Sequence, residues 1–206
     1  MKFWNWVKSI FKKQETPVSP PVVITKPVDP IPEIPTSEDE LALIQINPSA
    51  MKELISTCAT IRSTIEKYKF VESATGVPWD AVAACHYRES SLSFKGCLHN
   101  GDPWNKVTTH VPKGRGPFKS WEESAVDAMM IEKNKFPAQW DLAGKLDFCE
   151  RYNGLGYRNR GIPSPYVWAS TNKYKSGLYT GDSKFSSTAV DKRLGCAAII
   201  KGLRIT

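Results

Sequence analysis

The chain has no apolar run long enough to span a bilayer, which argues against a membrane-crossing helix. It also lacks a good secretory signal. Asn5, Lys8 and Ser9 break the apolar stretch of residues 1–13, and no cleavage site follows. No internal repeat is present. Histidine is scarce, at three residues, and neither H-E-x-x-H nor a paired C-x-x-C occurs. His86, Cys97, His99 and His110 lie close in sequence, yet their spacing fits no standard zinc site, so no metal is expected. Cysteine is sparse and odd in number: Cys58, Cys85, Cys97, Cys149 and Cys196. In a chain of 206 residues this makes a poor disulfide framework. Cys58, Cys85, Cys149 and Cys196 sit in apolar, helix-like stretches and read as buried free thiols.

Negative charge is short as well. The formal net charge is +7. Residues 1–40 hold five Lys and six Asp/Glu, whereas residues 41–206 hold 23 Lys/Arg and 15 Asp/Glu. The positive field therefore belongs to the second, longer part. Such a field suits an anionic partner, whether nucleic acid, a membrane surface or a wall polymer. It equally suits a surface kept basic for solubility. Outside the first residues, Lys and Arg form no stripe with interleaved aromatics, so nucleic acid is not expected as a partner.

What is present falls into three regions. Residues 1–14 make a leader. On a helix, Phe3, Trp4, Trp6, Val7, Ile10 and Phe11 share one side, while Lys2, Asn5, Lys8, Lys12 and Lys13 share the other. That pattern fits an amphipathic helix lying on an anionic membrane surface, or one docked on its own domain or a partner. Residues 15–44 make a proline-rich tether containing Pro17, Pro20, Pro21, Pro27, Pro30, Pro32 and Pro35. Proline fixes φ and removes donors, so an extended, semi-rigid spacer is expected.

Residues 45–206 make the domain, with 41% hydrophobic residues in the chain to build a core. Asn47-Pro48 predicts a helix start, followed by Met51, Leu54, Ile55, Cys58, Ile61 and Ile65 at helical spacing. A second helix is expected from Pro78 to about Glu89, with Trp79, Val82, Ala83 and His86 as its stripe. Residues 95–118 read as loops and short strands. Ser120 and Glu123 predict a capping box for a helix to about Lys133. Further helices are expected over Asp141–Tyr152 and about Thr188–Leu203, with Gly154, Gly156 and Gly161 breaking the chain between them. The fold class is α+β: mostly helical, with one small β region after the second helix.

Two carboxylates stand out. Glu89 ends a largely apolar helix, where partial desolvation would raise its pKa and let it donate a proton near neutral pH. Asp102, in Asn100-Gly101-Asp102-Pro103, is expected on a solvated loop. Glycoside hydrolysis uses such a pair, one acid for the leaving oxygen and one base for water. Glu89 could equally be an ordinary helix C-terminal residue. In Tyr152-Asn153-Gly154-Leu155-Gly156-Tyr157, glycines would let a sugar approach the backbone while tyrosines offer a face and a hydroxyl. The same segment could be a tight helix exit whose rings fill the core. Tyr166 and Trp168 fit either role, and Trp104 fits a sugar platform or a lid on the β region.

The runs HYRESS, LHNGDPWNKVTTHVPKGRGPF, SWEESAVDAM, ERYNGLGYRNRGIPSPYVWASTNKY and LGCAAIIKGL resemble a family of bacterial and phage lysozyme-like proteins over about residues 75–203. A helix-borne Glu followed by Ser, then Tyr-Asn-Gly, is similar to the wider superfamily of goose-type lysozymes, lytic transglycosylases and phage endolysins. The resemblance implies a lysozyme-like domain with a substrate cleft, in which Glu89 is the general acid. It implies that Asp102, with Thr108 or Thr109, orients the attacking water. The gap from Glu89 to Asp102 is longer than the phage pattern, so Asp102 matches less well than Glu89. The resemblance also implies that Tyr152, Asn153, Gly154 and Tyr157 line the cleft with Tyr166 and Trp104 as further substrate contacts. The activity implied is that of an endolysin-type muramidase, cleaving the β-1,4 bond between N-acetylmuramic acid and N-acetylglucosamine. No cofactor is implied. A monomer is expected, made in a bacterial host cytoplasm and acting on peptidoglycan, free or as part of a virion. The alternatives are a lytic transglycosylase and, less favoured, a zinc amidase or a non-catalytic wall-binding or virion structural protein.

Overall fold

A computed structural model describes residues 42–181 and 184–205. The leader over 1–14 and the tether up to residue 41 lie outside the described residues. Ile44, the last residue assigned to the tether, is fully buried, so the core includes it.

Among the described residues, seven α-helices carry the fold: α1 Met51–Ser63, α2 Ile65–Thr75, α3 Trp79–Ser90, α4 Trp121–Ile131, α5 Leu142–Asn153, α6 Pro165–Trp168 and α7 Cys196–Ile205. Local chemistry explains most of their ends. Pro48 opens a single 3-10 turn that runs into α1. The Ser120 hydroxyl accepts from Glu123 N at 3.2 Å, and the Glu123 carboxylate accepts from Lys119 N at 2.9 Å, so the expected capping box closes one residue upstream. Asp141 caps α5 by accepting from Gly144 N at 2.8 Å. Gly154 ends α5 with a φ of 104°.

α3 forms the middle of the molecule. Every side chain from Asp80 to Arg88 is buried, so it has no solvent face wider than its last turn. It packs on α2, α5 and α7; α1 covers α7, and α4 covers α2. Gly202 lets α1 approach α7 closely, since a Cβ there would lie 2.9 Å from both Cys58 Sγ and Leu54 Cδ1. Two aromatic groups flank α3. Tyr68, His86, Phe94 and Trp121 meet at centroid distances of 4.5–6.0 Å on one side. Phe136, Trp140, Phe148 and Tyr152 meet at 5.2–5.8 Å on the other. All five cysteines are buried, and none is in a disulfide.

The structure departs from the sequence reading in four places. The stripe of α1 is narrower: Leu54, Cys58 and Ile61 are buried, but Met51 and Ile55 face solvent. α2 was not expected. Only Tyr68 and Val71 are buried on it, too few positions to write a periodic pattern. Residues 95–118 hold no strand, only an isolated bridge between Gly96 and Pro103. The small sheet lies elsewhere: β1 Leu178–Gly181 pairs antiparallel with β2 Lys184–Ser186, between α6 and α7. α7 starts at Cys196 rather than near Thr188, and Val190 is exposed. Gly177 N donates to Ala189 O at 2.8 Å, which holds that stretch against the hairpin instead of in a helix. No described helix is long and apolar enough to cross a membrane.

Candidate active site

Glu89 sits on the last turn of α3, half-buried, just before the chain turns through left-handed Ser91 and Leu92. Groups from α6, from α3 and from the loop before α7 surround its carboxyl. From α6, the Tyr166 hydroxyl donates to Glu89 Oε1 at 2.9 Å. Beneath it on α3 lies Cys85, and Arg88 and Arg193 supply positive charge nearby. Burial dominates and pushes the Glu89 pKa up to about 8; the Tyr166 bond pulls the other way, Cys85 adds to the rise, and the two arginines oppose it. The result is a carboxyl that keeps its proton at neutral pH and stands at the end of a fixed helix.

A buried ionic hub supports this position. Arg88 donates to Asp191 at 2.8 Å and to Leu194 O at 3.1 Å, and its guanidinium lies 5.0 Å over the Tyr166 ring. Asp191 also holds Arg193, through Nε at 3.0 Å and Nη2 at 2.7 Å. Burial alone would raise the Asp191 pKa, but the bonds from Arg193 and the Arg88 charge bring it down to about 2. The hub fixes the start of α7 against α3, and so fixes the ring whose hydroxyl holds Glu89. Sequence reasoning missed Arg88, Asp191 and Arg193. The one available signal was Arg88 in a helix with no acidic residue at i−4 or i+4, which called for a distant carboxylate.

Asp102 is not the solvated carboxylate expected. It is 8% exposed, and its oxygens accept from Thr109 N at 2.7 Å, His110 N at 2.9 Å and the His110 ring at 2.5 Å. Burial works against ionisation, yet the donors from His110 and Thr109 hold its pKa at about 2. Glu89 and Asp102 thus differ in protonation as expected, but hydrogen bonding rather than water ionises Asp102. Its bonds run to residues 109 and 110, not to the Glu89 hub. Thr108 is buried, with its hydroxyl donating to Pro112 O at 2.7 Å and accepting from Arg115 N at 3.0 Å. Thr109 is exposed, with Oγ1 3.4 Å from Asp102 Oδ2.

The aromatic residues assigned to substrate are mostly interior. Tyr152, Tyr157 and Tyr166 are each 2% exposed, and Asn153 is 3% exposed. Tyr152 and Tyr166 lie close enough to feel the Glu89 charge. Tyr157 accepts from Tyr179 N at 3.2 Å, under the hairpin. These rings fill the core and leave the part-exposed Gly154-Leu155-Gly156 backbone as the outer surface of that segment. Trp104 is partly buried against the core and donates to Phe94 O at 3.2 Å, which makes it an anchor of the 95–118 loop.

The three histidines make separate contacts. His86 is buried, with Nδ1 3.0 Å from the Tyr68 hydroxyl and Nε2 3.0 Å from Ser93 O, and burial lowers its pKa to about 4. His99 Nε2 lies 3.3 Å from Asp127, and His110 lies on Asp102. Among the described residues no group of three or more His, Cys, Asp or Glu side chains is arranged to hold a metal ion. Comparison with protein-family models, curated proteins and solved structures finds no match to this chain.

Proposed function

We propose that the protein is a peptidoglycan-cleaving enzyme of the muramidase type, with Glu89 as general acid. The observation that carries this reading is the Glu89 carboxyl, raised to about 8 by burial and held by Tyr166 at the end of α3. A neutral carboxyl there can protonate the glycosidic oxygen between N-acetylmuramic acid and N-acetylglucosamine as the bond to the anomeric carbon breaks. Water then adds to that carbon and gives its proton to the Glu89 carboxylate, which restores the acid. On this reading the domain is lysozyme-like, and its cleft opens over the last turn of α3, with Gly154-Leu155-Gly156 presenting backbone to the glycan. Thr109, exposed beside ionised Asp102, is the better placed of the two threonines to orient water.

A second reading is favoured by Asp102 itself. Its oxygens already accept three close bonds, which leaves it poorly suited to take a proton from water. In a lytic transglycosylase Glu89 acts alone: the muramic acid's own 6-hydroxyl attacks the anomeric carbon, and the Glu89 carboxylate receives its proton. The zinc amidase reading gains no ligand set from His86, Cys97, His99 and His110.

Mass spectrometry of digested peptidoglycan separates these chemistries. Reducing-end muramic acid supports hydrolysis, and anhydro-muramic acid supports the transglycosylase. Free stem peptides with intact glycan would overturn both.

A further inference from the structure

The hairpin between α6 and α7 carries a feature that the catalytic reading does not use. Arg160 is exposed, yet its guanidinium is held in place. It lies 5.3 Å from the Tyr179 ring centroid and 4.9 Å from that of Phe185, and its Nε donates to the Tyr179 hydroxyl. The platform is itself supported. Tyr179 and Phe185 meet edge to face at 5.3 Å, and buried Tyr157 meets Tyr179 at 5.2 Å from below.

Its charge is unspent. Arg88, Arg115, Arg151, Arg158 and Arg193 each pair with an Asp or Glu. Arg160 pairs with none among the described residues, and its two terminal amino groups carry no protein acceptor there. A stacked guanidinium has already lost most of its rotamer freedom, so it binds a planar carboxylate at little further entropic cost.

The hairpin platform is also tied to the Glu89 hub. Tyr174 donates to Gly177 O at 3.2 Å at the base of the hairpin and accepts from Asp191 N at 3.1 Å. Asp191 holds Arg88, which stacks on Tyr166. On the other side, Arg160 ends the segment that begins at Asn153-Gly154.

We infer that Arg160, clamped by Tyr179 and Phe185, binds a carboxylate of the peptide stem on peptidoglycan, so that the enzyme prefers stem-bearing glycan to bare glycan. This rests on the peptidoglycan reading above and names the part of the polymer read beside the scissile bond.

The test uses the full chain and two substrates: purified glycan strands with their stem peptides, and the same strands stripped of peptide by an amidase. Arg160→Gln should lower kcat/KM on stem-bearing strands by about tenfold, the weight of one charge-assisted contact. It should leave turnover on stripped strands unchanged, even where loss of the ring contacts lowers the melting temperature slightly. Arg160→Lys, which keeps the charge and loses the fork, should fall between. Equal effects on both substrates, or none, would overturn the inference. A parallel titration follows a soluble disaccharide–tripeptide and its carboxamide form binding to the Glu89→Gln protein. Tight binding of the carboxylate form alone, weakened about tenfold by Arg160→Gln, supports the site even if no glycan is cleaved, in which case the enzymatic reading fails and the carboxylate site stands. Absence of that binding, or equal binding of both forms, overturns it.

Discussion

Two opposing effects decide whether the Glu89 carboxyl keeps its proton. Tyr166 donates to Glu89 and so favours the ionised carboxylate, while burial favours the neutral one and wins. Removing the hydroxyl therefore moves the Glu89 pKa further up. Since the acid form is the active one, the rate should fall as pH rises through about 8 in the native protein. In Tyr166→Phe that basic limb should move upward by about one pH unit. Lysis rates of purified walls from pH 5 to pH 10 read this directly. A limb that moves down would mean that Tyr166 stabilises the protonated form instead.

Among the elements, the 95–118 loop depends on one side chain. With no strand to hold it, its backbone folds around Asp102, which gathers Thr109 N, His110 N and the His110 ring. Asp102→Ala should cost about 3 kcal/mol, since bonds to a buried charge are the stronger kind. Protection from amide exchange should be lost at residues 109 and 110 first. If Asp102 were only a catalytic base, activity would vanish with no change in melting temperature or exchange. What could be read in the sequence divides along the same line. Helix ends set by local chemistry were legible: Pro48, Ser120 with Glu123, Asp141 and Gly154 all mark the boundaries they mark in the structure. Elements fixed by distant partners were not. Residues 188–194 have helical spacing, but Asp191 is taken by Arg88, and Gly177 binds Ala189. The β1–β2 hairpin has strands of four and three residues, too short to show alternation. In the site, the position of Glu89 at the end of an apolar helix was legible. The burial of Tyr152 and Tyr157 was not, because a Tyr-Gly segment looks alike in a cleft and in a core.

For the whole molecule, the same protons set stability against pH. Glu89 ionises at about 8 in the folded protein against an ordinary 4.5, so the folded state holds a proton that the unfolded chain has released between those values. Its contribution is therefore present below the ordinary value and is lost as pH rises to about 8. Asp102 and Asp191 work in the opposite sense: their contribution is present above an ordinary 3.8 and is lost as pH falls to about 2. Denaturant unfolding at pH 5 and pH 8 should show a smaller difference in Glu89→Gln than in the native chain. The leader expected over residues 1–14 enters at this scale too. Its deletion should leave cleavage of purified peptidoglycan unchanged and weaken sedimentation with anionic vesicles, where each basic residue near the surface adds about 1 kcal/mol. A joint fall in turnover and melting temperature would instead mean that Trp4 and Trp6 pack on the enzyme domain. The role of Glu89 as general acid is read from the turnover of Glu89→Gln on purified peptidoglycan. The substitution keeps the shape and removes the proton donor, so the rate should drop by about 10²–10⁴-fold with the fold intact. A folded Glu89→Gln protein that cleaves at close to the native rate would contradict it.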